Sequence, residues 1–355
     1  PNPTAWLYLV AKQKTLYYFK RNSIYQKKVL PGVKQKLDLA TDAKEPDFSL
    51  QNIKDSQLQM LFAVCNPAIA SEAQIGLALR VLCGFGIDEI AEAFLSNKET
   101  INKRLSRAKE KLRAENVTME LPAESGIDKR LDNVLHIIYL LFSEGYYSTT
   151  QNEILRKDFC VEALRLGLML AENEKTNLPK TNALIALMCF HASRFNARQA
   201  GSDAMVLYHL QDPALWDAAL IKQGMHYLEC SAQGTELTSY HIEARIAFWH
   251  CVKEDSTEKW EDILQLYNRL LQINYSPSVV LNRLFALYKV HGYSIALQEA
   301  EKLQLPNNHF YYILLGELYK HLDKNTALQY LQQAQLLAKT GTEKQGIQQK
   351  IDELL

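Results

Sequence analysis

The chain has 355 residues, with 40 Lys plus Arg against 40 Asp plus Glu and 47% hydrophobic content. That length and apolar fraction suit two or three domains with cores of their own and exclude a disordered or fibrous chain. The formal charge of zero excludes a uniform polycation, yet the balance is uneven, about +5 up to Glu120 and about −5 beyond it, so the front is the part suited to a polyanion.

The first element in chain order is a basic helix at the N-terminus. Trp6, Leu9, Val10, Leu16 and Phe19 can share one helical face, and six cations stand in the first thirty residues (Lys12, Lys14, Lys20, Arg21, Lys27, Lys28) against no carboxylate. From Asn22 to Asp55 the chain carries Pro31-Gly32 and Pro46, alternates charges and shows little periodicity, and reads as a linker. Pro67, near Ser71-Glu72-Ala73-Gln74, marks the start of the next helix.

Residues 85–113 then read as a helix-turn-helix. Ile87, Ile90, Ala91 and Phe94 line one face of a short helix, and Ser96 or Asn97 can cap a second one. Ile101, Leu105, Ala108 and Leu112 recur at i, i+4, i+7 and i+11 as a single apolar stripe. Lys98, Thr100, Asn102, Lys103, Arg104, Ser106, Arg107, Lys109, Lys111 and Arg113 are left to face outward. A major groove admits one α-helix, its phosphates attract flanking Lys and Arg, and Asn, Arg and Thr can reach base edges. These ten residues are the candidate DNA-binding set. Arg104 and Arg107 are expected to read or clamp the site, with Lys98 and Lys103 on phosphates.

After about Pro122 helical segments of roughly 15–20 residues follow one another without strand signals, and the fold class expected is all-α. Near the C-terminus Leu315-Gly316-Glu317-Leu318-Tyr319, a turn at Asp323-Lys324, then Ala327, Leu331 and Ala334 resemble a tetratricopeptide repeat. Ser276-Pro277-Ser278 through Ala286, Gly292, Ala296 and Ala300 form a looser copy, and Trp260 to Ile273 reads as the second helix of one before that. Small residues at these places let paired helices approach closely, and stacked pairs bury a continuous core.

Catalytic signals are missing. No H-E-x-x-H, G-x-S-x-G, Walker loop or paired metal-ligand spacing occurs, so no catalytic residue, cofactor or metal is expected. His241, His250 and Cys251 are too dispersed to argue for zinc. Cys65, Cys83, Cys160, Cys189, Cys230 and Cys251 sit singly inside apolar segments, the usage a reducing cytoplasm permits. No apolar run reaches the roughly eighteen residues that span a bilayer, so no membrane partner is expected.

Two stretches carry a family resemblance. Leu79-Arg80-Val81-Leu82-Cys83-Gly84-Phe85-Gly86-Ile87-Asp88-Glu89-Ile90-Ala91, then Thr100-Ile101-Asn102-Lys103-Arg104-Leu105-Ser106-Arg107-Ala108-Lys109, resemble the −35-binding domain of extracytoplasmic-function sigma factors, across roughly Ser56 to Arg113. Asn2 through Arg21 is similar to the last helix of that family's −10-binding domain, with Thr15-Leu16-Tyr17 where Ala-Leu-Asp is usual. The resemblance implies contacts of that domain at Trp6, Lys12, Lys14, Lys20 and Arg21. It also implies that a chain opening at Pro1 inside this helix is partial, able to bind duplex but not to open it.

Residues 131–217 resemble one sigma-factor subgroup with a large helical C-terminal extension. The matching text is Leu131 to Ser148, with Ser143 in place of the usual Asn, then Leu155 to Leu166, His191-Ala192-Ser193-Arg194 with Arg198, and Leu207, Gln211-Asp212 and Leu215-Trp216-Asp217. Glu144, Tyr146, Arg156, Glu162, Arg165, His191, Arg194, Arg198, Gln211, Asp212 and Trp216 stand beside apolar stretches, where unpaired charges are costly. They read either as a buried network that fixes helix register or as a contact surface for the sigma domains, a regulatory protein or a small ligand. Gly145 reads as a helix end.

The organisation expected is therefore the last −10-domain helix (1–22), a linker (23–55), a −35-binding helix-turn-helix domain (56–116) and a helical extension with tetratricopeptide-like repeats (121–355). The function implied is a cytoplasmic bacterial sigma factor, with promoter DNA and RNA polymerase core as partners. The acidic extension is expected to pack on the −35 domain and hide or orient the Lys103–Arg107 face. The alternative is a one-component helix-turn-helix regulator whose repeats bind a ligand or protein; a third class is an interaction scaffold with an incidental basic helix.

Overall fold

In the computed structural model the regular structure of the described residues (50–94, 96–122, 124–147, 153–198, 206, 211–339 and 341–355) is helical, with no strand among them. The expected N-terminal helix, with Trp6, Lys12, Lys14, Lys20 and Arg21, lies outside the described residues, as does the linker up to position 49. No helix among the described residues is long and apolar enough to cross a membrane.

Four helices make up the front: α1 (Leu50–Val64), α2 (Ser71–Val81), α3 (Ile87–Ala93) and α4 (Lys98–Ala114). Helix α1 begins at Leu50, inside the span expected to be linker. Its polar text (Gln51, Asn52, Lys54, Asp55, Ser56) dilutes the periodicity that Leu58, Leu61 and Phe62 then make plain. The α4 stripe buries as its spacing predicts: Ile101, Leu105 and Ala108 are buried and Leu112 is half-buried. Of the two candidate caps it is Asn97 whose side chain accepts the Thr100 N–H, at 2.8 Å.

The remaining helices are α5 (Glu124–Tyr147), α6 (Glu153–Ala171), α7 (Pro179–Ser193), α8 (Phe195–Arg198), α9 (Ala218–Ser231), α10 (Ser239–Trp249), α11 (Thr257–Ile273), α12 (Pro277–His291), α13 (Tyr293–Ala300), α14 (His309–Tyr319), α15 (Lys324–Leu337) and α16 (Gly341–Leu354). Helix α7 is buried on every face from Lys180 to Phe190 and packs against α5, α6, α9 and α10. A helix without a polar face is a core helix, and α7 is the hub of the central bundle. Gly145 lies inside α5, which continues to Tyr147, so it does not end the helix.

From α10 onward each helix packs on the next. The α10–α11 seam closes on Ile242, Ile246, Leu266 and Leu270. A second core runs from Trp260 to Leu318 and a third joins Leu331 and Ala334 to Ile347 and Ile351. Gly316 is a close-approach point: a Cβ there would stand 2.8 Å from Leu331 Cγ, so α14 and α15 touch where only a hydrogen fits.

The largest core ignores the expected boundary near residues 116–121. Buried residues from Leu58 to Ala247, including Ile101 and Leu105 of α4, form one cluster. Polar bonds stitch the same seam. Arg130 donates to the Phe62 carbonyl at 2.6 Å, Asn133 to the Cys65 carbonyl at 2.6 Å and to Gln74 Oε1 at 2.9 Å, and Arg165 to the Leu82 carbonyl at 3.2 Å. Phe85, in the turn before α3, meets Phe159 of α6 edge-on at 5.1 Å.

Candidate nucleic-acid interface

At 100° per residue the buried stripe of α4 leaves three outward sectors. Opposite the stripe runs a ridge of Glu99, Lys103, Ser106 and Glu110, all exposed. One flank carries Lys98, Asn102, Lys109 and Arg113, also exposed. The other carries Thr100, Arg104, Arg107 and Lys111, with Arg104 half-buried. That second flank, with Lys103, faces Ile69, Ala70 and Ala73 at the start of α2 across an open groove of about 440 Å³. Gly76 sets the approach of α2 to α4, since a Cβ there would come within 2.9 Å of Leu105 Cδ2.

Charge is not uniform along the helix. Lys98 is paired with Asp88 of α3 at 2.9 Å, and Lys103 with Glu99 at 2.6 Å. Among the described residues no carboxylate pairs with Arg104, Arg107, Lys109, Lys111 or Arg113. The unneutralised cations therefore lie on the two flanks, from the second turn of α4 to its end. The ten residues expected to contact DNA are spread over the three outward sectors of α4, nine of them exposed and Arg104 half-buried. Glu99 and Glu110, which belong to the same sectors, escape a search for cations; the helical angle alone finds them.

A second constellation lies in the central bundle. Tyr146 is buried, with the Arg198 guanidinium 3.9 Å above its ring and the His191 ring at 4.8 Å. Phe195 meets Tyr146 edge-on at 5.4 Å and Phe142 stacks on it at 5.7 Å. Arg194 is buried as well. Burial, then Arg194, Arg198 and His250, holds His191 well below the ordinary imidazole pKa. Burial, then Arg194 and Lys259, brings His250 down to about 3. Both imidazoles are consequently neutral inside a cationic neighbourhood.

The other members of the expected network are placed differently. Arg165 pairs with Glu162 at 2.7 Å and reaches the seam with α2, while Asp212 is an exposed cap on the Pro213–Leu215 turn. Gln211 donates to the Val206 carbonyl at 3.2 Å, and Glu144 and Trp216 are half-buried. The Arg156 side chain lies outside the described residues. His250, Phe142 and Phe195 complete the cluster; the sequence places His250 only as a dispersed histidine unsuited to zinc, far along the chain, and the two phenylalanines look like ordinary core. Among the described residues no group of His, Cys, Asp and Glu could hold a metal.

Comparison with known proteins places the chain in a family. Residues 130–232, from the start of the central bundle through α9, match a family of unknown function, DUF6596. The chain is similar to an uncharacterized protein of Rhizobium meliloti (strain 1021), 32% identical over 361 residues that cover 99% of this chain and 84% of that protein. It belongs to the same family as that protein. No solved structure matches it.

Proposed function

We propose that the chain is a promoter-recognition subunit, a sigma factor of the extracytoplasmic-function type, in which α3 and α4 are a helix-turn-helix and α4 is the helix that enters the major groove. The observation that carries the reading is the three-sector division of α4. A helix seated in a major groove points its outer ridge at base edges and its sides at the two sugar-phosphate strands. Here the unpaired cations occupy the two sides, so we assign Arg104, Arg107 and Lys111 to one strand and Lys109 and Arg113 to the other. Base edges fall to Glu99, Lys103 and Ser106, with Asn102 at the border. This allocation exchanges the roles that charge type alone suggested for Lys103 and Arg104.

The sigma-like text from Leu79 to Lys109 supports polymerase core as the partner. The paired helices from α10 to α15, with Gly316 at a close approach, support a tetratricopeptide-like array in the extension. A catalytic role is not part of this reading, since strand synthesis belongs to the polymerase.

Anisotropy titration of labelled promoter duplex tests it. Arg107→Ala and Lys111→Ala should each weaken all sequences alike and reduce the slope of log K against log salt by about 0.9, the value for one lost phosphate contact. Unchanged affinity and slope in the double variant would sink the interface. Core polymerase retained on immobilised chain supports the sigma reading; duplex binding without core retention favours a one-component regulator.

A further inference from the structure

Building on that reading of α4, we propose that Glu99 and Lys103 act as one unit that reads a single C·G base pair. The two side chains lie one turn apart on the ridge, near the N-terminal end of the helix that leads into a groove in helix-turn-helix proteins. Their charged ends are 2.6 Å apart, with the side chains 64% exposed for Lys103 and 76% for Glu99. A carboxylate in that position is repelled by phosphates and by base carbonyls. It gains only where it meets an exocyclic amino group, and a major groove offers two, cytosine N4 and adenine N6.

The ammonium beside it selects between them. Across the groove a G·C pair presents acceptor, acceptor, donor: guanine N7 and O6, then cytosine N4. An ammonium and a carboxylate side by side match that order, with Lys103 on the two guanine acceptors and Glu99 on the amino group at the edge. In an A·T pair the amino group sits between adenine N7 and thymine O4. A carboxylate that approaches it meets an acceptor on either side. Free in solution, an exposed pair of this kind contributes little to helix stability. It therefore opens at small cost while holding both groups where the base pair needs them.

The test is selection of bound duplexes from a randomised library by the full chain, followed by anisotropy on the selected duplex and its single-base variants. The wild type should enrich sequences with one fixed C·G position. Glu99→Gln and Lys103→Gln should each lower discrimination at that position by about 5- to 150-fold, with preferences elsewhere kept. Circular dichroism confirms that the variants remain helical. If both variants select the wild-type sequence with undiminished discrimination, the pair is not a reader, and promoter recognition by α4 still stands. Enrichment of A·T at the Glu99-dependent position overturns the base assignment. A wild type that enriches no sequence overturns the promoter-recognition reading, and this inference with it.

Discussion

Asn133→Ala probes how α1–α4 are held by the rest of the protein. The Asn133 amide donates to two acceptors across the seam, the Cys65 carbonyl at 2.6 Å and Gln74 Oε1 at 2.9 Å. Cys65 is fully buried and Gln74 is 2% exposed, so water cannot readily replace the lost donor. A buried polar group left without its partner costs about 1–3 kcal/mol. Two such groups, at a site where Asn133 itself is half-buried, place the loss at about 2–4 kcal/mol. Gln74 keeps its bond to the Ile69 carbonyl at 2.7 Å, and Arg130 keeps Phe62, so the helices themselves should survive. Native-state amide exchange across residues 61–113 is the assay, because it reads the opening of this segment separately from the array. The expected result is a fall in opening free energy of that size, and coupling of about 0.5–3 kcal/mol with Gln74→Ala in a double-mutant cycle. Protection within about 0.5 kcal/mol of wild type would refute the claim that the seam stabilises α1–α4.

Gly316→Ala should destabilise the array by about 1–3 kcal/mol through overpacking, because its Cβ would meet Leu331 Cγ at 2.8 Å and Cδ2 at 2.9 Å; an unchanged urea midpoint for the α14–α15 region refutes the close approach. Stability should also depend on pH in two opposed ways. His191 and His250 are held neutral by burial in the fold but gain protons in the unfolded chain, so stability is full above pH 6.5 and falls as pH drops below it. Burial pushes Glu243 up to about 7 despite hydrogen bonds from Tyr139 and Ser239, so its contribution is lost as pH rises from about 4.5 to 7. Urea midpoints from pH 5 to 8 should show His250→Gln flattening the acid-side loss and Glu243→Gln raising stability at neutral pH; curves that superimpose on wild type contradict both assignments.

What could be read from the sequence follows from what leaves a local trace. The α4 stripe did, because Ile101, Leu105 and Ala108 bury at spacings fixed by helix geometry. Polar residues beside apolar runs must find partners, and of the set expected on that ground Tyr146, His191 and Arg198 come together while Arg165 and Asp212 lie elsewhere. The missing part was nonlocal. Nothing near Asn133 announces that its amide bonds a carbonyl 68 positions earlier, and His250 joins the bundle cluster from another helix hairpin altogether. Glu99 and Glu110 were passed over for a different reason. A search for DNA contacts by charge type discards carboxylates, although the same periodicity that orients the cations puts these two on the outer ridge.

The shared core constrains how the extension can act on the α4 face proposed to bind DNA. An acidic domain docking reversibly over Lys103 and Arg107 would cover them, yet Lys103, Arg107, Lys109, Lys111 and Arg113 are exposed. The polar contacts of α5 and α6 with the front reach α1, the turn after it, α2 and the end of α2 instead. Reversible undocking along that seam would bare several large apolar side chains. Each such side chain costs about 1.5–3 kcal/mol to expose, whereas an allosteric coupling is typically about 1–3 kcal/mol in total. Separation at the seam therefore costs far more than a signal of ordinary strength supplies. Under the proposed function, an effector that changes promoter occupancy must leave the seam closed. It can bend the array beyond α10, whose cores are distinct from the one that holds α4, or it can compete directly for the exposed cations of α4. On that reading the first route would leave affinity for isolated duplex unchanged and alter only the polymerase-bound state, and the second would weaken both.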